Sequence, residues 1–588
     1  MGVRTGAVAL AALVVGSVVA VDPGGWQPFG PARWWVISTL ALLGGGLTLR
    51  CGVRRLHPPT ARLWGGLLTL ITVAALVGDD RRVALLGHPV RHLGLATWLA
   101  FALVFAAGQQ FDDAGRRRWI ARAAALAALA LGAWALWELV VGRPVDVAAN
   151  TDRLLGPFGS AAVTGAASAL LVPGAVGLMC DPHERRAWRV ASAIAAALGS
   201  VALVGSGARA ALAGVAVAVV VVVGRRRPSR RTAISIAALG MIGIALVAPR
   251  LGDVFDRDHG LASRFDEWSL ALDVIGNHPL LGVGPEGYRI AAIGAVDAHY
   301  EREYGRDLVL PDRAHSGPLD VALDGGLPAA VLYLTLVGWV AWAVVRRLPT
   351  MKVADVGLAC GVVAYAVQQL VLFPLAELDA LWWLFAGMLV VDRREAPDVP
   401  DVTGRGRARR AVGTAAATLA TVAFAAGALA VAADRLARSA IAAPALDAAV
   451  RDADRAVDLR PDDLVLRSVA VRVHLERGTL ADVDTALDHA DAALRWSPLD
   501  PIALDDRAGV LLARAKITGG RDDVDAALAA WRDLVALDPV RARWQIELGR
   551  AAALAGDADL ARRSWQRALE LRPSDPAARA LLDALEEA

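Results

Sequence analysis

The residues of this chain that could do chemistry stand at the edges of its apolar stretches. Arg91 precedes one stretch, Arg209 opens another, Arg264 and His315 lie in a long polar segment, and Asp320 and Asp324 begin the stretch that follows it. Guanidinium groups offer rigid, paired donors that stay charged at any working pH, which is what holding a diphosphate requires. An imidazole with the ordinary pKa of about 6.5 can take a proton from an attacking hydroxyl. Asp320 and Asp324 are one helical turn apart on one face, so they orient the histidine, bind a hydroxyl-bearing ligand or cap the helix. Plainer roles stand beside these. An arginine at the end of a span snorkels to lipid headgroups, a lone loop histidine is simply solvated, and Trp382-Trp383 serve either an interfacial belt or a sugar-stacking platform. Cys51, Cys180 and Cys360 lack C-x-x-C or His-rich spacing, so neither a disulfide framework, nor metal ligation by side chains, nor a cofactor is expected.

Such residues must be held by membrane helices. The 588 residues are 56% hydrophobic and 21% charged, with a mean hydropathy of +0.45, too apolar for a soluble chain of this length. A span takes ~20 mostly apolar residues, and about thirteen stretches qualify, near 5–21, 32–49, 63–78, 93–109, 119–141, 160–180, 187–204, 209–224, 232–248, 318–345, 353–373, 378–391 and 411–433. The expected fold class is therefore all-α: a polytopic helical bundle over residues 1–391, and a final span at 411–433. The first stretch has no small-x-small cleavage site before Asp22 and is expected to persist as a helix. Arginine clusters at Arg50/Arg54/Arg55, Arg116–Arg118, Arg185/Arg186/Arg189, 225–231, Arg346/Arg347/Lys352 and 405–410 mark alternate connections as cytoplasmic. The net charge of +3 thus reflects topology, and no nucleic-acid partner is expected. This alternation predicts a cytoplasmic N-terminus and a cytoplasmic linker at 392–410, with the loop 249–317 and residues 434–588 extracytoplasmic. The connection 79–92, external by the same count, breaks the pattern with Arg81, Arg82 and Arg91. Ionisable residues are sparse within the spans, which weighs against a transporter.

Within the long loop, Ser263 to Asp266 fit a capping box, Trp268, Ala271, Leu272 and Ile275 form an apolar stripe, and Gly276-Asn277-His278-Pro279 supplies a stop. The pattern predicts an amphipathic helix over 264–275, lying on the membrane surface. The glycines from Gly282 to Gly287 allow a tight turn. Without a Lys-Ser/Thr ending or an adjacent strand, that turn reads as structural rather than as a phosphate loop. Toward the C-terminus, Ala527, Trp531 and Pro539 recur as Ala561, Trp565 and Pro573, each 34 residues on. Leu548-Gly549 falls where a tetratricopeptide repeat has its Leu-Gly. Weaker copies precede at Ala449/Ala456/Pro461 and Ala486/Ala493/Pro498, with irregular spacing around 516–523. The expectation for 434–588 is an α-solenoid of tetratricopeptide-like repeats, either a platform for partners and substrate or a spacer.

Several pieces combine into a pattern. Gly205-Ser206-Gly207-Ala208-Arg209 precedes an apolar span, Ser263-Arg264-Phe265 precedes Trp268, and the run His278 to Pro285 reads His-Pro-Leu-Leu-Gly-Val-Gly-Pro. Ala314-His315 then stands ahead of Asp324-Gly325-Gly326-Leu327. With Leu86-Gly87, Arg91 and Gly94, and with the segment Arg153 to Gly159, these resemble the O-antigen ligase and O-antigen polymerase superfamily over about residues 80–390. Ser160, Ala208, Ser316 and Asp324 stand where that family more often has Asn, Ser, Asn and Glu. The resemblance implies a C-type membrane glycosyltransferase that moves a polyprenyl-diphosphate-linked glycan, such as one on undecaprenyl diphosphate, to a hydroxyl of a glycan, lipid or protein acceptor on the outer face. It implies inversion at the anomeric centre without a metal, with Arg209 and Arg264 as diphosphate clamp, Arg91 as a third cation and His315 as general base. Asp320 and Asp324 become substrate-binding candidates, membrane lipid surrounds the bundle, and protein partners are possible through the repeats. A polytopic transporter and a non-catalytic scaffold of an envelope polysaccharide machine are the alternatives.

Overall fold

Lipid offers backbone groups no hydrogen-bond partner, so a chain this apolar must satisfy them internally. The computed structural model describes residues 2–52, 54, 56–111, 114–145, 151–226, 261–306, 311–391 and 404–587, and among these every regular element is helical. In order they are α1 (Gly2–Val19), α2 (Pro31–Cys51), α3 (Pro58–Val77), the short α4 (Arg81–Leu86), α5 (Leu95–Gly108), α6 (Ala114–Val140), α7 (Ala161–Met179), α8 (Arg186–Gly205) and α9 (Arg209–Arg226). Then come α10 (Leu261–Asn277), α11 (Tyr288–Ala291), α12 (Ala298–Tyr304), α13 (Gly317–Arg347), α14 (Val353–Gln368), α15 (Ala376–Val390) and α16 (Gly404–Ala442). Among the described residues α2, α3, α6, α7, α8, α13 and α16 are long and apolar enough to cross a membrane, and α1, α5 and α14 are apolar but shorter. Every expected span coincides with a helix except 232–248, which lies outside the described residues, as do the basic run 227–231, the loop start 249–260 and the linker residues 392–403.

Small residues set the packing, because association in lipid rests on close fit rather than on hydrophobic drive. At the centre α7 meets α14 so tightly that a methyl on Gly361 would stand 2.2 Å from the Leu170 carbonyl oxygen. Trp382 and Trp383 belong to this core and to neither an interfacial belt nor a sugar platform. The Trp382 indole donates to the Val362 carbonyl at 2.9 Å, and Trp383 packs edge-on against Trp64 at 4.6 Å and Phe105 at 5.7 Å.

Basic connections gather at one end of the bundle. Arg409 donates to the carbonyls of Gly52 and Arg54, Arg347 to those of Leu389 and Val391, and Arg226 to those of Leu348 and Met351. The described part of the expected linker, 404–410, is already the first turns of α16. That helix runs 39 residues, on the order of 58 Å, well beyond the hydrocarbon thickness. It lies along α2 and continues past residue 434 to meet the first C-terminal hairpin.

The C-terminal helices are α17 (Leu446–Leu459), α18 (Leu464–Arg477), α19 (Leu480–Trp496), α20 (Pro501–Thr518), α21 (Arg521–Leu537), α22 (Ala542–Leu554), α23 (Ala558–Leu571) and α24 (Pro576–Glu587), each packed on the next. Ala527, Trp531, Ala561 and Trp565 are buried, and Gly549 is seated against the Trp565 indole where a Cβ would strike the ring. The irregular spacing near 516–523 has a simple origin: α20 runs on to Thr518 before Gly519 ends it with a φ of +60°, which lengthens one hairpin without breaking the stack.

Candidate active site

The end of the bundle away from the basic connections carries the chemistry-bearing residues. His315 lies just ahead of α13 with a φ of +51°, a conformation a β-carbon resists. Asp320, in the first turn of α13, holds it there by accepting from the N–H of Ala314 at 3.1 Å and of Ser316 at 3.4 Å. The imidazole meets the Phe373 ring edge-on at 5.1 Å, places Nε2 3.7 Å from Glu267, and has a buried Nδ1 without a hydrogen-bond partner. Glu267 stands one turn along α10 from Arg264, which donates to it at 2.5 Å. Arg91 donates to Asp312 at 2.6 Å and lies over the same Phe373 ring at 4.9 Å. Behind them Arg313 is buried against Glu286 at 2.6 Å, and Glu286 also accepts from the Leu93 N–H at 2.8 Å.

Burial and then the Arg264 charge push the His315 imidazole down to about 3, with Asp312 opposing them. Burial raises Glu267 despite Arg264. For Asp312 burial works upward, but Arg91 and then Arg313 hold the carboxyl below its ordinary range. Arg313 is held above its usual value because Glu286, Asp320, Asp324 and Asp312 outweigh burial. The result is a neutral imidazole with a lone pair to offer, flanked by two partly exposed guanidinium groups.

Of the residues singled out from sequence, Arg91, Arg264 and His315 meet around Phe373 and Glu267. Arg209 heads α9 at the same end, where the segment 153–159 is tied to 205–209: Leu154 N–H donates to Gly205 at 3.1 Å and Arg153 to Ser206 at 2.7 Å. Asp320 and Asp324 are both buried, the first on the His315 backbone and the second beside Arg313. Glu267, Asp312, Arg313 and Phe373 escaped the sequence reading. The three-residue spacing of Glu267 from Arg264 was an available signal, whereas nothing local marks Phe373.

Two further expectations shift. Helix α10 already includes Leu261, so Ser263 lies inside it rather than at its cap, and its buried face is Leu270, Ala271, Val274 and Ile275, with Leu272 outward. The glycine-rich turn is structural, as expected: Val283 N–H donates to Leu323 at 2.7 Å and Leu327 N–H to Pro279 at 2.8 Å. These bonds stitch the turn to a break in α13 at Gly325 and Gly326. A cavity of about 630 Å³, lined by Ala74, Val77, Val274, Leu280 and Leu281 among others, lies at the far end of α10. It stands roughly 15 Å along the helix from Glu267.

Residues 194–334 match the O-antigen ligase family. The matched stretch contains Arg209, Arg264, Glu267, His315, Asp320 and Asp324 and ends just past the break in α13. No curated protein sequence matches the chain. The chain is a multi-pass membrane protein whose residues 194–334 carry an O-antigen ligase domain, which indicates a glycosyltransferase-like enzyme.

Proposed function

We propose that this enzyme transfers a glycan from a polyprenyl diphosphate to an acceptor hydroxyl on the outer face of the membrane, with inversion and without a metal at the reacting centre. The observation that carries this reading is the meeting of Arg91 and His315 on one phenylalanine ring, with Arg264 joined to His315 through Glu267. Donor diphosphate oxygens exchange with Glu267 and Asp312 as partners of the two arginines, and Arg209 adds a third cation from the same end of the bundle. His315 takes the acceptor proton, the acceptor oxygen bonds to the anomeric carbon, and the bond from that carbon to the phosphate oxygen breaks. Polyprenyl diphosphate departs with its charge matched by guanidinium groups, which is why no divalent ion is required. Asp320 positions His315 through the flanking backbone, and Asp324 balances Arg313. The reacting centre is thus approached through Arg91 and Arg264 rather than through these two carboxylates.

The sidedness rests on the basic connections, which in the positive-inside sense belong to the cytoplasm and put the site and the C-terminal repeats outside. Of Arg81, Arg82 and Arg91, which run against that count, two are engaged by the protein's own side chains: Arg82 lies over the Trp496 ring at 3.0 Å and Arg91 pairs with Asp312. The test is a reconstituted transfer assay with a lipid-diphosphate donor. Arg264→Lys keeps the charge but loses the fork and should fall strongly, with Arg264→Ala lower still. Full activity in both Arg264→Ala and His315→Ala would remove the mechanism. Glycan profiling of a deletion strain separates the two outcomes of the reaction: shortened chains mark a polymerase, and accumulated lipid-linked polymer marks a ligase.

A further inference from the structure

Three side chains on three successive helices converge in the C-terminal region, away from the transfer site. Asp454 on α17 places Oδ1 3.0 Å from Nε2 of His474 on α18 and 3.3 Å from Nε2 of His489 on α19. The three ligand atoms all lie within 4.8 Å of one another. The opposite nitrogen of His474, Nδ1, is 3.2 Å from Asp482, whose carboxylate is itself fixed by Arg477 at 2.8 Å and by the Thr479 hydroxyl at 2.5 Å. A carboxylate paired in this way accepts and does not donate, so the proton sits on Nδ1. Nε2 of the buried His474 faces another carboxylate oxygen, a contact that needs either a second proton or a cation between the two atoms. A carboxylate holding the outer nitrogen of a ligating imidazole is the usual support of a metal-bound histidine. Neighbouring ligand atoms in a tetrahedral centre with bonds near 2.0 Å are about 3.3 Å apart, close to both separations seen here.

We infer that Asp454, His474 and His489 form a binding site for a divalent transition metal. Two imidazole nitrogens and one carboxylate oxygen are the ligand set of zinc rather than of magnesium or calcium. Water fills the fourth position on the open side, where the Asp454 side chain is 41% exposed. The ligands are 20 and 15 residues apart on separate helices, which is why the sequence carries no metal-ligand spacing and no ligation was expected from it. The site ties the first hairpin, which α16 feeds, to the second. It lies roughly 15 Å along α18 from Leu464, which packs with Val83 of the membrane part. The metal therefore stiffens the joint between membrane bundle and repeats and takes no part in glycosyl transfer.

The experiment uses full-length, detergent-solubilised protein without a histidine tag, stripped with chelator and titrated with Zn²⁺ or Co²⁺. One metal per chain is expected, with the visible absorption of tetrahedral Co²⁺ and a higher melting temperature on loading. His489→Gln and Asp454→Asn leave the His474–Asp482 pair in place and should each weaken binding at least tenfold and abolish the cobalt band. Absence of stoichiometric binding in the unaltered protein would overturn the site and mark His474 as an imidazolium shared by two carboxylates. Undiminished binding in both variants would overturn it equally, since the metal would then sit elsewhere. Because metal content is the readout, failure here leaves the transfer mechanism standing.

Discussion

An imidazole in water titrates near 6.5, and a general base of that kind would give a pH limb close to neutrality. Burial and the Arg264 charge place His315 elsewhere, at about 3 in the free enzyme. In the proposed mechanism the neutral ring is the base, so activity is expected to rise with pH through the limb, and for kcat/KM that limb falls below the range in which most membrane enzymes are assayed. Donor binding changes the sign of the field: a diphosphate beside Arg264 and Arg91 favours the imidazolium, so the limb in kcat moves to higher pH than the limb in kcat/KM. His315→Ala should lower kcat by about 10²–10⁴ and remove the limb, with donor affinity nearly unchanged. A kcat/KM limb near pH 6.5 that persists in His315→Ala would assign the titration to another group. The arginines and the histidine were legible in sequence because their chemistry is intrinsic to their residue types. Asp312 was not, because its partner Arg91 is 221 residues away and only the fold joins them.

At the level of elements, most helices were legible because period and length announce them, whereas their breaks and faces were set by contacts. The span 318–345 read as continuous, yet α13 is interrupted at Gly325 and Gly326, and Pro328 follows where a restarting helix tolerates a missing N–H. The stripe on α10 was recognised by period, but its phase is fixed by what lies opposite, so Val274 is in and Leu272 is out. The break bears on the proposed site. Gly326 has a φ of +80°, and a Cβ there would stand 2.2 Å from the Leu280 carbonyl oxygen. Gly326→Ala should therefore displace the short piece of α13 that bears Asp320, and with it the His315 backbone, lowering kcat more than donor binding. Gly276, whose Cβ would meet open space, supplies the control: Gly276→Ala should behave like the parent. Equal turnover in both variants would dissociate the turn from the site.

For the whole molecule, the sequence assigned the reaction to the membrane part and its loop, and left the repeats as platform or spacer. The structure adds a mechanical link between them. Helix α12 and the residue after its turn dock on the repeats: Arg306 pairs with Glu301 at 2.7 Å and Asp538 at 2.5 Å, all of them almost completely buried, and Glu301 also accepts from the Ala542 N–H at 3.1 Å. Arg289 makes a second clamp, binding Asp80 at 2.8 Å and also Asp500. Both clamps grip the loop that carries Asp312, Arg313 and His315, so the repeats are expected to hold that loop in register. Asp538→Ala removes one of the two carboxylates on Arg306 and should cost on the order of 3 kcal/mol of docking, the usual scale for breaking a buried pair. The expected readout is a lower melting temperature and a lower kcat at saturating donor, with donor affinity retained. Deleting residues 445–588 should act in the same direction and further. Salt distinguishes this from a surface effect: exposed pairs weaken as the Debye length shortens, whereas a pair this buried is little screened. The difference between Asp538→Ala and the parent should thus be the same at low and high ionic strength. A stably inserted truncation with parental kcat would show that the loop keeps its geometry unaided, and the repeats would then return to the role of platform or spacer.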